Sequence, residues 1–270
     1  MDLLTYDVEG PSGAPTVVLG NSLGTTTAIW DTFLPLLTPD HRVVRYDLPG
    51  HGRSPAAEHE LRLSGLGTEL IGLLDAVGAP TAHLVATSLG AMIAVRAALD
   101  APHRVDSLTL ICTSARPGSP DAWHERAATV RAHGLDQIAD AAVERWLTAG
   151  FRSSRPDETD GLREQLATTS VEGYAACCEV LADVDLVADL PRITAPTLVI
   201  AGADDVATPP SDARRIRDAI PGARLEIVED AGHLAVVEQP EPIARLVRAH
   251  LAAHTPPATS TAGQAGTSAS

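Results

Sequence analysis

The sequence contains no lysine; all 20 of its basic residues are arginine. Without a side-chain amine there is no Schiff-base lysine, no pyridoxal enzyme and no Walker-type phosphate loop, because each needs that amine at a defined place. Cysteine is nearly as scarce. Cys112, Cys177 and Cys178 are odd in number, two are adjacent, and none falls in a CxxC or Cys/His spacing. A disulfide framework and a zinc site therefore find no support, and buried free thiols are the expected reading. Positive charge is also short. With 35 acidic residues against 20 basic ones the net charge is −15, which repels nucleic acid and anionic membrane surfaces, and no run of arginine interleaved with aromatics offsets it. Long apolar runs are missing as well: no stretch reaches the roughly 18 consecutive apolar residues of a membrane span. The opening MDLLTYDVEG lacks the basic and apolar regions of a signal peptide, so a cytoplasmic location is expected.

What is present is a core. A 270-residue chain that is 44% hydrophobic is long enough for one α/β domain, or for a smaller core carrying an insertion. Short β-branched or aliphatic runs at residues 16–19, 42–46, 83–86, 107–112, 197–201 and 225–228 each read as a buried strand. Helical patterns at 61–76, 90–99, 212–219 and 242–253 alternate with them. The alternation predicts an α/β fold, a mainly parallel sheet with helices on both faces. It stops after Thr113 and resumes at Pro196; within the gap, 121–134, 135–148 and 161–181 look helical. Residues 1–115 and 196–254 are accordingly expected to form the core and 116–195 a helical lid inserted over it. From 255 to 270 the composition falls to Pro, Ala, Thr, Ser, Gly and one Gln, a tail or linker with too little apolar surface to order itself.

The chemistry-bearing residues follow strand ends. In His83-Leu-Val-Ala-Thr-Ser88-Leu-Gly90, Ser88 sits between a predicted strand and a predicted helix, the context of a nucleophile elbow, with Ala86 and Gly90 as the small neighbours that a tight turn needs. Such a turn exposes the hydroxyl and aims the N–H of Leu89 at an oxyanion. An acid follows the next-to-last strand, in Gly202-Ala-Asp204-Asp205-Val-Ala-Thr208-Pro209, and a histidine follows the last, in Ala231-Gly232-His233. The order Ser, acid, His and their convergence at the carboxyl edge of a parallel sheet assign Ser88 as nucleophile, His233 as general base and Asp205 as the acid that orients it, with Asp204 as the alternative acid. The loop Gly20-Asn21-Ser22-Leu23-Gly24 offers a second oxyanion donor, the N–H of Leu23. In Asp47-Leu-Pro-Gly50-His51-Gly52-Arg53-Ser54, His51 reads as a residue that fixes a loop, not as a catalytic one.

Together, Leu19-Gly-Asn-Ser-Leu-Gly-Thr25, Asp47-Leu-Pro-Gly-His-Gly-Arg-Ser54, Ser88-Leu-Gly90, Gly202-Ala-Asp-Asp205 and Ala231-Gly-His233 resemble the α/β-hydrolases, specifically the 3-oxoadipate enol-lactonases. Asn21 to Thr25 and the segments Glu144-Arg-Trp-Leu-Thr148 and Glu172-Gly-Tyr-Ala-Ala-Cys-Cys178 carry the subfamily likeness. Ala86 and Ala91 depart from it, standing where glycines are common around the elbow. The resemblance implies hydrolysis of a small anionic lactone, 3-oxoadipate enol-lactone, through a serine acyl-enzyme, with no cofactor and no metal. It also implies association or fusion with a carboxymuconolactone decarboxylase domain, for which the tail would be the linker. The substrate's carboxylate calls for a cation. Lid position and resemblance favour Arg145, with Trp146 as an apolar wall and Arg152 as second choice; helix geometry sets neighbours about 100° apart, so only one of 145 and 146 is expected to face the pocket. The competing readings are a carboxylesterase or cofactor-free perhydrolase of the same fold, and a non-catalytic ligand-binding member.

Overall fold

The structure is a computed structural model that describes residues 3–255. Of the expected tail only Thr255 falls among them; 256–270 lie outside the described residues.

Seven strands form one sheet: β1 (Tyr6–Glu9), β2 (Thr16–Gly20), β3 (Arg42–Tyr46), β4 (Ala82–Thr87), β5 (Val105–Ile111), β6 (Thr197–Gly202) and β7 (Arg224–Val228), in the order β1-β3-β2-β4-β5-β6-β7. All neighbours run parallel except β1, which pairs antiparallel with β3 from Tyr6 opposite Tyr46 to Glu9 opposite Val43. Every residue of β2, β4 and β6 is buried, so both faces of the sheet are covered there, and the mostly apolar sequences without in-out alternation are the consequence. The edge strand β1 is an addition to the six expected. Its Tyr-Asp-Val-Glu is mostly exposed, and pairing with β3 makes it a strand where hydrophobicity does not.

The order of the sheet locates the site before any side chain is inspected. From β2 the chain moves to β3 on one side, then crosses back to β4 on the other. The loops leaving β2 and β4 therefore diverge at their carboxyl ends and open a crevice.

The helices α1 (Leu63–Ala76) and α2 (Leu89–Asp100) follow β3 and β4, α8 (Pro210–Ala219) links β6 to β7, and α9 (Ala235–Glu238) and α10 (Pro240–His254) close the chain. Between β5 and β6 lie α3 (Pro120–His133), α4 (Asp136–Trp146), α5 (Ala149–Ser154), α6 (Pro156–Thr168) and α7 (Val171–Asp183). The single helix expected over 161–181 is two. Ser170 caps α7 by accepting from the N–H of Gly173, while its own N–H donates to the carbonyl of Gly50 in the loop after β3. That external bond removes the continuation of α6, and the cap restarts the helix. Gly50 and Gly173 touch backbone to backbone: a Cβ on either would come within 2.5 Å of the other's Cα. The Gly in Glu172-Gly-Tyr174 thus serves to seat α7 on the core. No helix among the described residues is long and apolar enough to cross a membrane.

Candidate active site

Ser88 leaves β4 with φ 53° and ψ −119°, a left-handed conformation that a side chain adopts only under constraint, at a cost on the order of 1–3 kcal/mol. The constraint is visible. The N–H of Ser88 donates to Ile111 O at 3.0 Å, its carbonyl accepts from Ala91 N and from the hydroxyl of Thr113, and Gly90 N donates to Asn21 O at 3.0 Å. A Cβ on Gly90 would lie 2.6–2.8 Å from backbone atoms of Gly20 and Asn21, so glycine there lets α2 begin against the β2 loop.

Asp205 and His233 come from the loops after β6 and β7. These loops cross because Gly202 has no side chain: a Cβ would lie 2.4 Å from the carbonyls of both Ala231 and Gly232. The imidazole spans the gap. His233 Nδ1 is 2.9 Å from Asp205 Oδ2, and Nε2 is 3.0 Å from Ser88 Oγ. A carboxylate only accepts, so the ring proton sits on Nδ1; Nε2 is left to accept from the serine hydroxyl. Asp205 is 3% exposed and saturated with donors: Oδ1 takes the N–H groups of Ala207 and Thr208 at 2.7 and 2.9 Å, and Oδ2 takes the Thr208 hydroxyl at 2.7 Å. Burial pushes its carboxyl upward, but the charge and hydrogen bond of His233 and the bonds from Thr208 outweigh it and hold it below the ordinary carboxylate range. Asp204 is exposed and lines a different cleft, and the imidazole bonds Asp205.

Among the described residues neither the Leu23 nor the Leu89 N–H finds a protein acceptor, and Ser22 and Leu23 line the same pocket as Ser88 and His233. The next N–H, that of Gly24, donates to His51 Nε2 at 3.0 Å, and Nδ1 of the same ring bonds Pro49 O at 3.0 Å. His51 is fully buried and fixes the β2 loop.

The pocket over Ser88 has a volume of roughly 270 Å³. Arg145 and Trp146 both line it, against the expectation that helix geometry would admit only one. Trp146 is the last residue of α4, where the regular spacing ends, and the long Arg145 side chain reaches both this pocket and an outer cleft of about 800 Å³ that does not extend to Ser88. Arg152 lies in the outer cleft alone. Its guanidinium caps α4 through the carbonyls of Glu144 and Leu147, so it is spent on structure. The sequence reading missed Arg126. It lines the pocket, its Nε is buried without a hydrogen-bond partner, and its guanidinium carbon lies 5.9 Å from the Trp123 ring and 5.7 Å from that of Tyr174. Among the described residues no carboxylate pairs with Arg126 or Arg145. The spacing Trp123-x-x-Arg126, one helical face, was the available signal. No cluster of His, Cys, Asp and Glu among the described residues has the geometry of a metal site.

An activated serine beside unpaired backbone donors is equipped for acyl transfer. Residues 15–240 match the model of the α/β hydrolase fold. The chain is 37% identical over 246 residues to 3-oxoadipate enol-lactonase 2 of Acinetobacter baylyi, covering 91% of this chain and 92% of that one. It is 32% identical over 260 residues to a protein of Stutzerimonas stutzeri provisionally named carbamate hydrolase, covering 92% and 96%. The crystal structure of the enol-lactonase from Burkholderia xenovorans LB400 superposes with a TM-score of 0.90 at 34% identity, covering 92% of this chain and 96% of that one. The fold, the elbow and these relatives place the chain in the α/β-hydrolase family.

Proposed function

We propose that this chain hydrolyses 3-oxoadipate enol-lactone to 3-oxoadipate. The observation that carries the reading is a relay of Ser88, His233 and Asp205 at the floor of a small pocket whose wall holds Arg126 and Arg145 without carboxylate partners, in a protein of net charge −15. A cation left unpaired in so acidic a molecule is suited to the carboxylate of a small anionic substrate. The likeness to enol-lactonases of Acinetobacter and Burkholderia supports the lactone in particular.

Ser88 attacks the lactone carbonyl while His233 takes its proton, Asp205 stabilises the imidazolium, and the N–H groups of Leu23 and Leu89 hold the oxyanion. Collapse breaks the ring C–O bond. The departing enol oxygen takes the proton back from His233, and the enol relaxes to the ketone. Water, deprotonated by the same histidine, then attacks the acyl-enzyme and frees Ser88. The enolate is a good leaving group, so the step asks for little acid catalysis beyond His233. The reading extends to a cytoplasmic enzyme of aromatic catabolism.

Loss of enol-lactone absorbance tests it. Ser88→Ala should lower kcat on the order of 10⁶-fold; a wild-type chain that leaves the lactone intact while cleaving a p-nitrophenyl ester would move the assignment to a carboxylesterase.

A further inference from the structure

The carboxylate of Glu238, the last residue of α9, collects three donors from two distant places. Oε1 accepts from the N–H of Thr148 at 2.8 Å and from the Thr148 hydroxyl at 2.7 Å, and Oε2 accepts from the N–H of Gly232. Thr148 caps α5 in the helical segment between β5 and β6; Gly232 immediately precedes His233. A second bond runs beside the first, from the N–H of Leu234 to the carbonyl of Trp146 at 2.9 Å. The residues on both sides of His233 are thus tied to the junction of α4 and α5. Gly232 records how close that junction comes: a Cβ there would lie 2.8 Å from Trp146 O and 3.0 Å from Glu238 Oε2.

We infer that Glu238 is a positioning residue: by bridging Thr148 and Gly232 it fixes the loop that aims His233 at Ser88, so the general base is in register only while the helical segment is seated. Hydrogen bonds to an ionised acceptor are stronger than neutral ones, and two of the three donors are backbone groups that have no freedom to seek another partner. Removing the carboxylate releases both the loop and the cap at once. The same junction carries Arg145 and Trp146, so the wall of the pocket and the aim of the imidazole move as one body. The inference rests on the triad reading of Ser88 and His233 and is independent of which acyl substrate is used.

The test is the rate at which a fluorophosphonate labels Ser88, measured with kcat, KM and thermal unfolding in wild type, Glu238→Ala, Glu238→Gln and Thr148→Val. Labelling requires the imidazole in place and makes no use of the pocket arginines. Glu238→Ala should slow labelling and lower kcat on the order of 10²-fold, with KM within about threefold, at temperatures well below its unfolding midpoint. Glu238→Gln keeps one acceptor oxygen and should recover part of the rate; Thr148→Val keeps the backbone donor and should lose less than Glu238→Ala. Labelling at the wild-type rate in both Glu238 variants, with only the unfolding temperature lowered, would overturn the inference. If the alanine variant does not fold, the glutamine variant carries the same comparison. A wild-type chain that resists labelling removes the triad reading and this inference with it.

Discussion

The N–H of Gly24 donates to Nε2 of His51 at 3.0 Å, so a fully buried histidine from the loop after β3 supports the loop that presents Leu23. Because Nε2 accepts, the ring proton sits on Nδ1 and goes to the carbonyl of Pro49. His51→Ala should therefore lower kcat by about 10- to 100-fold through a misplaced oxyanion donor, with a smaller change in KM. Steady-state kinetics on a lactone and on a neutral ester should show the same loss for both. A loss confined to the lactone would count against the role.

Burial holds His51 at about 4, and burial together with neighbouring His41, His250 and His254 holds His83 at about 4, against an ordinary value of 6.5. Both histidines are neutral in the folded protein, while the unfolded chain takes up their protons near pH 6.5. Their contribution to stability is whole above about pH 6.5 and is lost as the pH falls toward 4, on the order of 1–3 kcal/mol for each. Unfolding followed by circular dichroism should show the midpoint dropping across that window. His83→Asn should flatten the drop, and a midpoint level from pH 7 to 4 would contradict the assignment.

Arg126→Met retains the apolar packing between Trp123 and Tyr174 and removes the cation. KM for an anionic lactone should rise by roughly 10- to 100-fold, the worth of a charged hydrogen bond, and a neutral ester should be hydrolysed as before. Arg145→Ala should raise KM several-fold, about threefold or more, since that residue is exposed and divides its reach between this pocket and neighbouring clefts. Equal effects of either change on charged and neutral substrates would remove the carboxylate-binding role.

Two glycines should respond to alanine in opposite directions. At Gly90 the added methyl meets only backbone, of Gly20 and Asn21, and nothing there can yield; Gly90→Ala should destabilise on the order of 1–3 kcal/mol or more. Gly72 lies mid-helix in α1, exposed, with nothing within 4 Å of an added Cβ. Gly72→Ala should stabilise by about 0.5–1 kcal/mol. Denaturant midpoints measure both.

The parts of the molecule legible in the sequence are those written in short runs. Buried strands announce themselves as β-branched stretches, and Ser88, Asp205 and His233 each sit within a few residues of a strand end, so order along the chain was enough to bring them together. What stayed hidden depends on distance. β1 is a strand by pairing alone, with an exposed and charged sequence. The break between α6 and α7 comes from a bond between Ser170 and Gly50, residues 120 positions apart, though a serine followed by Val-Glu was a readable cap. Arg126 is an ordinary helical arginine until α3 turns it toward Ser88, and Glu238 reaches Thr148 across 90 positions. Trp123-x-x-Arg126 and the Ser170 cap mark candidate residues, but neither pattern names the distant partner.

Gly20 gives the elbow a property that pattern matching overlooks. A Cβ at Gly20 would lie 2.9 Å from the Cβ of Ala86, so the methyl two residues before Ser88 occupies volume that the adjoining strand leaves empty. Tyr46 Oη at 3.0 Å and Gly90 Cα at 3.4 Å bound the same space, so glycine on β2 is what leaves room for alanine on β4. A search keyed to glycine before the serine discards this chain, whereas one keyed to combined side-chain volume across the β2–β4 pair retains it. Drift at the two sites should then be one-sided: position 86 can accept a methyl only while position 20 stays bare.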